Sequence, residues 1–129
     1  MKEYYVNSFI DKFNMHTDFS EDPKKAFLDH INIYIKEEYE ELLEATNNND
    51  VEEIIDALGD LSWLIDKAMI IVDVDPNFVR SAIGRANLSK EIGVKPGREN
   101  ASHDVIKPTG WVGPDHRGNH GKLEDILAS

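Results

Sequence analysis

Residues 36–60 read "KEEYEELLEATNNNDVEEIIDALGD", two charged segments on either side of a short polar turn. In both segments apolar and acidic residues recur at three- and four-residue intervals, which is the spacing of one face of an α-helix. Asp50, followed three residues later by Glu53, resembles a capping box and marks the start of the second helix, which runs to about residue 72. A turn this short predicts that the two helices pack as an antiparallel hairpin.

Asp-Pro pairs mark the starts of two helices. Asp22 has the position of an N-cap and Pro23 that of the first helical residue, and no glycine or proline follows until after residue 50. The first helix of the hairpin is therefore predicted over about residues 23–46. Asp75 and Pro76 repeat the signal and predict a further helix that continues through about residue 90.

The two ends of the chain complete the outline. Tyr5, Phe9 and Phe13 are four residues apart and predict an amphipathic N-terminal helix. Glycine and proline are frequent beyond residue 92, so residues 93–129 are predicted to be an irregular tail with a short helical turn at "LEDILA". Strand signals are missing. The sequence thus predicts an all-α protein built as an antiparallel four-helix bundle, with its helical core at about residues 3–92.

The composition restricts the location and the chemistry. At 129 residues the chain is long enough to form a single domain, residues 1–129, with a core of its own. It has no cysteine, which excludes disulfides, thiolate metal ligands and a cysteine nucleophile and favours a reducing, cytoplasmic location. The N-terminus "MKEYYVNSFI" lacks the apolar region of a signal peptide, and the longest apolar run, "AMIIV", is too short to span a membrane.

The formal charge of −11 is concentrated in one part of the chain. Residues 1–75 contain 19 acidic and 6 basic groups, whereas residues 76–129 contain 6 acidic and 8 basic groups. A nucleic-acid polymer is therefore an unsuitable partner, because its phosphates would meet mostly repulsion. A metal cation suits the acidic part, and the ordinary alternative is a solvated helix face.

Acidic residues occupy positions of the hairpin that would normally be apolar. In the first helix the core stripe of Phe27, Ile31 and Tyr34 continues into Glu38 and Glu41. In the second helix three acids share one face, at spacings of three and four residues: Glu53, Asp56 and Asp60.

An antiparallel hairpin brings these acids together. Positions equally distant from the turn lie level, which pairs Glu41 with Asp56 and Glu38 with Asp60 or its neighbours. Two carboxylates about 5 Å apart repel by roughly 3 kcal/mol at an effective dielectric constant of ~20. Either some of them are protonated or a cation lies among them, and a site of oxygen ligands without cysteine suits Mg²⁺ or Mn²⁺.

Two other kinds of metal site have weaker support. A di-iron carboxylate bundle requires Glu-x-x-His pairs, and none of the five histidines has a glutamate three positions before it. His116 and His120 are four residues apart, but the prolines and glycines around them argue against the helix that would align them for zinc. They are expected to lie in a surface loop.

The acidic motif carries a family resemblance. Glu37-Glu38-x-x-Glu41 followed by Glu53-x-x-Asp56 resembles the E-E-x-x-E and E-x-x-D signature of the MazG-like all-α nucleoside triphosphate pyrophosphohydrolases. "RANLSK" at 85–90 is similar to the basic end of that family's fourth helix, and "KPTGWVGPD" at 107–115 is similar to the tail of small, often phage-encoded members. The resemblance covers roughly residues 25–115. One departure is Gly113-Pro114, where such tails often have two prolines.

The resemblance implies hydrolysis of a nucleoside triphosphate between the α and β phosphates, giving the monophosphate and pyrophosphate. It implies Mg²⁺ held by Glu38, Glu41, Glu53 and Asp56, with Glu37 binding a second ion or accepting the proton of the attacking water. It also implies a homodimer or homotetramer. Two alternatives stay open: a phosphoribosyl-ATP pyrophosphohydrolase, and a non-catalytic acidic helical module that binds a cation or a protein.

Four further residues are candidates for binding substrate. Asp60 would help the metal site or be an exposed helix acid, and Trp63 would stack on a base or lie in the core or a subunit interface. Asn87 and Lys90 extend the apolar face of the fourth helix and suit a ribose or phosphate contact. The alternative for Lys90 is a cation that complements the helix dipole.

Overall fold

The computed structural model of the chain describes residues 2–16, 20–100 and 104–129. It is mostly helical, which confirms the predicted all-α class. The helical elements are α1 Lys2–Phe13, α2 Pro23–Asp29, a π-helical segment His30–Ile35, α3 Lys36–Asn47, α4 Val51–Ile70, α5 Pro76–Leu88 and α6 Leu123–Ala128.

The long helix predicted from Asp22 onward forms, but it is not uniform. The Asp22 side chain accepts a hydrogen bond from the backbone N–H of Lys25 at 3.0 Å, and Pro23 follows in the first turn. The helix then passes through the π-helical segment with helical backbone angles at both of its ends, so that α2, this segment and α3 form one continuous helical run. A π-helical turn is wider than an α-helical one and is frequent at functional sites, and here it directly precedes the acidic motif.

The turn between α3 and α4 closes the predicted hairpin. The Asp50 carboxylate accepts a hydrogen bond from the Glu53 backbone N–H at 3.2 Å and so caps α4. The reciprocal bond of a capping box does not form, because the Asp50 N–H donates to the Ala45 carbonyl at 3.0 Å. The prediction of a complete capping box was therefore wrong in its second half, and capping does not occupy the Glu53 carboxylate.

The chain divides into two compact units, one comprising Met1–Pro76 with His120–Ser129 and the other Asn77–Asn119. The prediction of a single domain over residues 1–129 stays a prediction. The core of the first unit contains four nearly inaccessible apolar side chains: Val6, Ile10, Ile71 and Val72.

The C-terminal segment of the first unit is fixed to the end of α4. The backbone N–H of Lys122 donates to the Val72 carbonyl at 2.7 Å, and the Lys122 ammonium lies 3.1 Å from Asp73. Gly121 precedes this contact with a φ of 54°, and a Cβ there would lie 2.0 Å from the Val72 oxygen. Only glycine fits such a close approach of two backbones. The predicted helical turn at "LEDILA" follows as α6.

The second unit contains α5 and a two-stranded antiparallel hairpin, β1 Glu91–Ile92 and β2 Val105–Ile106. The sequence prediction had no strands and was wrong in this detail, because two-residue strands are too short to produce an alternating pattern. The indole N–H of Trp111 lies 2.9 Å from both the Ala86 carbonyl and the Ser89 hydroxyl, which fastens the tail to the end of α5 within this unit. Within the described ranges, no helix is long and apolar enough to cross a membrane.

Candidate active site

Four carboxylates converge where α3 faces α4. Glu38 and Glu41 come from α3, and Asp56 and Asp60 come from α4. Partial burial raises the pKa of Glu38 to about 7, together with the charge of Glu41, a hydrogen bond between these two carboxyl groups, and the charges of Asp60 and Asp56. The level pairing predicted from helix spacing therefore brings these four acids together.

One oxygen of Glu38 is buried. Its Oε2 atom receives no hydrogen bond from residues 2–16, 20–100 and 104–129. A buried acceptor without a donor costs about 1–3 kcal/mol, and more when it is charged. A proton or a cation would remove this cost, so the atom is an available ligand position within the cluster.

Asp60 belongs to the same cluster. Its pKa is raised by partial burial and then by the charges of Asp56 and Glu41. Asp60 is exposed, but it is not isolated from the other acids, and its role beside the predicted metal ligands stays a prediction.

Glu53 lies nearer the turn than the other acids. It lines a small cleft of about 220 Å³ that Glu41 also lines, together with Glu44 and Asp50. Glu41 thus faces both this cleft and the four-acid cluster. Among residues 2–16, 20–100 and 104–129, no group of three or more histidine or acidic side chains is close enough to hold a metal ion as the side chains stand. The carboxylates converge without forming a closed set of ligands.

The chemistry of the cluster nevertheless fits a hard divalent cation. All donors are carboxylate oxygens, one of them is buried without a partner among the described residues, and burial together with mutual repulsion raises the pKa of Glu38. Oxygen-only donor sets suit Mg²⁺ and Mn²⁺, and a cation offsets this repulsion.

A larger cleft of about 550 Å³ adjoins the cluster. Glu37 and Glu38 line it, so both acids that head the motif are accessible from this cleft. Its other walls come from the end of α1 and the residues just after it, from the helical run before α3, and from α4: Asn14, Met15, His16, Ser20, Ala26, Asp29, His30, Tyr34, Leu64 and Lys67.

Two lining residues were missed at the level of sequence. His30 and Lys67 are each only 7% exposed, although both are polar. Their positions in the sequence could have identified them, because His30 interrupts the apolar stripe of its helix and Lys67 lies in the otherwise apolar end of α4. Buried polar residues of this kind are uncommon unless they have a partner or a function.

Trp63 packs against α1. Its ring meets the Phe9 ring edge to face at a centroid distance of 5.5 Å, and Trp63 does not line the large cleft. This contact favours the core role over the base-stacking role.

Asn87 and Lys90 lie at the end of α5, in the second unit. The Asn87 carbonyl accepts a hydrogen bond from the Lys90 backbone N–H at 3.1 Å, and the Lys90 ammonium lies 5.2 Å from the centre of the Trp111 ring. Lys107 approaches the same ring at 5.0 Å. His116 and His120 lie outside any helix, as predicted.

The all-α fold and the paired acidic motifs define the class of helical nucleotide pyrophosphohydrolases. A family model described as phosphoribosyl-ATP pyrophosphohydrolase matches residues 6–87, which is more than half of the chain. The chain belongs to this family, within the MazG-like all-α nucleoside triphosphate pyrophosphohydrolase superfamily. It is therefore a hydrolase of nucleotide phosphoanhydride bonds. Comparison with curated proteins and with solved structures found no match.

Proposed function

We propose that the protein hydrolyses a ribo- or deoxyribonucleoside triphosphate between the α and β phosphates, releasing the monophosphate and pyrophosphate, and that it depends on Mg²⁺ or Mn²⁺. The observation that supports this proposal most strongly is the convergence of Glu38, Glu41, Asp56 and Asp60, with a buried unpartnered oxygen on Glu38. Repelling carboxylates beside an open cleft suit a site that acquires its counter-charge with the substrate.

Glu38, Glu41, Glu53 and Asp56 are the proposed metal ligands. A divalent cation, when bound, neutralises phosphate oxygens and stabilises the charge that develops on them. Asp60 lies beside these ligands, where its charge helps to orient them. Glu37, on the wall of the large cleft, is proposed to accept the proton of the attacking water.

The contacts with substrate outside the cluster are also proposals. Lys90 supplies a cation for a phosphate group, and Asn87 supplies an amide for the ribose. Trp63 as a base-stacking residue is the weakest of the predicted contacts, because its ring is already engaged by Phe9.

A second candidate substrate is phosphoribosyl-ATP. The description of the matching family favours it, and the bond cleaved is of the same kind. A non-catalytic acidic module is set aside, because the family consists of hydrolases.

The test is to incubate the protein with each common nucleoside triphosphate, each deoxy counterpart and phosphoribosyl-ATP, with and without Mg²⁺, and to identify the products. We expect pyrophosphate and a monophosphate from at least one triphosphate, only when the metal is present. Cleavage of phosphoribosyl-ATP alone would establish the second candidate. Release of inorganic phosphate instead of pyrophosphate would contradict the α–β bond as the site of cleavage.

A homodimer or homotetramer is part of the proposal. On α4, Ile55, Leu58 and Ile65 lie on one helix face and are 63%, 53% and 48% exposed. An apolar stripe of this kind suits packing against a second copy, which light scattering would detect as a mass of two or four chains. The cytoplasmic location stays a prediction.

A further inference from the structure

The large cleft contains a buried cation, Lys67. Lys67 is 7% exposed, and its ammonium lies 5.4 Å from the centre of the Phe9 ring and 5.8 Å from that of Tyr34. No carboxylate in the described part of the chain forms an ion pair with it, and burial lowers its pKa. Rings compensate only part of the cost of removing an ammonium from water. The residue therefore reduces stability where it stands, and a ligand would account for its presence.

A buried acceptor lines the same cleft. His30 Nδ1 lies 2.9 Å from the Ala26 carbonyl, and because a carbonyl oxygen only accepts, Nδ1 carries the proton. Nε2 then holds a lone pair, and this buried atom has no hydrogen-bond partner in the part of the chain that the structure describes. Burial lowers the pKa of His30, with a contribution from the charge of Lys67, and this keeps the imidazole neutral. The His30 ring centre lies 5.2 Å from that of Tyr34, and the Lys67 ammonium lies 5.8 Å from the centre of the same Tyr34 ring.

These groups suit the base of a nucleotide better than its phosphates. The His30 lone pair would repel phosphate oxygens, and the phosphates are proposed to lie at the metal ligands instead of beside His30. The remaining wall includes the Tyr34 ring, which is 43% exposed and offers a flat apolar surface to a ring. A volume of about 550 Å³ lies within the usual range of about 300–1,000 Å³ for small-molecule sites.

We propose that this cleft binds the nucleobase of the substrate, with His30 Nε2 accepting a hydrogen bond from a ring N–H and Lys67 Nζ donating to the adjacent carbonyl oxygen. The ligand class is a lactam base, in which an N–H stands beside a carbonyl group, as in uracil, thymine and guanine. A cationic donor favours a carbonyl oxygen, because that atom carries more negative charge than the ring nitrogen that adjoins an amino group. The inference rests on the proposed function in so far as it takes a nucleotide as the substrate.

Binding of unphosphorylated nucleosides in the absence of metal tests the site separately from hydrolysis. Saturation-transfer NMR would compare thymidine and guanosine with N3-methylthymidine, 1-methylguanosine and deoxycytidine. We expect at least one lactam nucleoside to bind, and methylation of its ring nitrogen to weaken binding by tenfold or more. If no lactam nucleoside binds, if the methylated form binds equally, or if deoxycytidine binds more tightly, the inference is wrong.

Paired variants locate the contact. His30→Asn keeps a donor for the Ala26 carbonyl but removes the Nε2 acceptor, whereas His30→Gln retains an acceptor near the Nε2 position. We expect His30→Asn to weaken binding of the lactam nucleoside by tenfold or more and His30→Gln to weaken it less. Equal binding by wild type and His30→Asn would remove His30 from the site.

Lys67→Met separates a binding role from a structural one. The variant should bind the nucleoside at least tenfold more weakly and melt at a higher temperature, because it replaces a buried cation by an apolar side chain of similar length. Lys36→Met, an exposed lysine on α3, is the control and should change neither value. Unchanged nucleoside binding by Lys67→Met would overturn the inference.

The two proposals fail in different ways. If nucleosides bind as described while no nucleotide releases pyrophosphate, the proposed function fails and the base site stands. If pyrophosphate is released while all three cleft variants bind nucleosides as tightly as wild type, the base site fails and the proposed function stands.

Discussion

The two units hold charge in opposite ways. In the second unit, Asp115 accepts hydrogen bonds from the Arg117 guanidinium, and Asp104 lies 3.4 Å from Arg98 and 4.0 Å from Lys95. Arg117 holds the pKa of Asp115 well below its usual range. In the first unit, like charges crowd at Glu38, whose pKa is raised. The exposed Asp115 is stabilised by its own partner, Arg117, whereas crowded acids beside a cleft are typical of a site that is completed by something else.

The largest expected effect comes from breaking the acidic cluster. Glu38→Gln or Asp56→Asn should lower kcat/KM by at least about 100-fold, which corresponds to about 2.7 kcal/mol of transition-state stabilisation. Each substitution removes a proposed metal ligand while the side chain keeps nearly the same size. Steady-state pyrophosphate release measures this effect, and circular dichroism checks that the helices persist.

Glu40→Gln is the matched control for these variants. Glu40 is an exposed acid on the same helix and does not contribute to the raised pKa of Glu38. The Glu40→Gln variant should retain wild-type activity. Full turnover by Glu38→Gln at saturating Mg²⁺ would remove the cluster from the mechanism.

A smaller effect is expected at Lys90. If its ammonium contacts a phosphate group, Lys90→Ala should lower kcat/KM by about tenfold or more, and Lys90→Arg should recover part of this loss because it keeps the charge. Lys107→Ala is the control, because the Lys107 ammonium lies at a similar distance from the centre of the same Trp111 ring. Equal effects of the two alanine variants would show that packing on Trp111 explains both, and Lys90 would leave the proposed site.

The pH dependence of stability should reveal the crowded acids in metal-free protein. Because the pKa of Glu38 is raised to about 7 in the folded state, the folded protein binds more protons than the unfolded chain between about pH 4.5 and 7. The contribution of Glu38 is therefore fully present below about pH 4.5 and is lost as the pH rises through 7. Asp60, with a raised pKa, acts in the same direction.

His30 contributes with the opposite sign, since its lowered pKa costs stability as the pH falls below its usual value. The difference between wild type and Glu38→Gln isolates the glutamate. Thermal melts in EDTA should show the variant to be the more stable protein at pH 8, with the advantage shrinking toward pH 5. A variant that melts lower than wild type at pH 8 would mean that the acids are not crowded.

The smallest effect is expected in the second unit. Asp115→Asn removes an exposed ion pair, and such pairs contribute little to stability in water. Its melting temperature should stay within about 2 °C of wild type and its activity should be unchanged. A large loss of activity would place the tail in the active site and would end the contrast between the two units.

Local and periodic features were predictable from the sequence. Asp22 and Asp50 cap helices where their spacing indicated, since N-capping depends only on neighbouring residues. The meeting of Glu38 with Asp60 followed from helix periodicity and a short turn, which together fix the level of each residue in a hairpin.

Features that depend on distant parts of the chain were not predictable. The cleft at His30 and Lys67 is formed by the end of α1, the helical run before α3, and α4, and no local pattern reports their meeting. The π-helical segment His30–Ile35 also escaped prediction, because its residues have the same periodicity as an α-helix. The strands β1 and β2 depend on pairing between residues 13 and 15 positions apart, Ile92 with Val105 and Glu91 with Ile106.

The central claim is that the acids of α3 and α4 hold a divalent cation. The most direct measurement is a titration of metal-free protein with Mn²⁺, in which electron paramagnetic resonance reports the free ion, with and without a non-hydrolysable nucleotide. The account predicts saturable Mn²⁺ binding by wild type and by Glu40→Gln, and binding at least tenfold weaker by Glu38→Gln. It also predicts that the wild-type melting temperature rises with Mn²⁺, because a ligand at 100 times its Kd stabilises the folded state by about 2.7 kcal/mol. Absence of saturable Mn²⁺ binding by wild type under both conditions, or equal binding by Glu38→Gln, would contradict it.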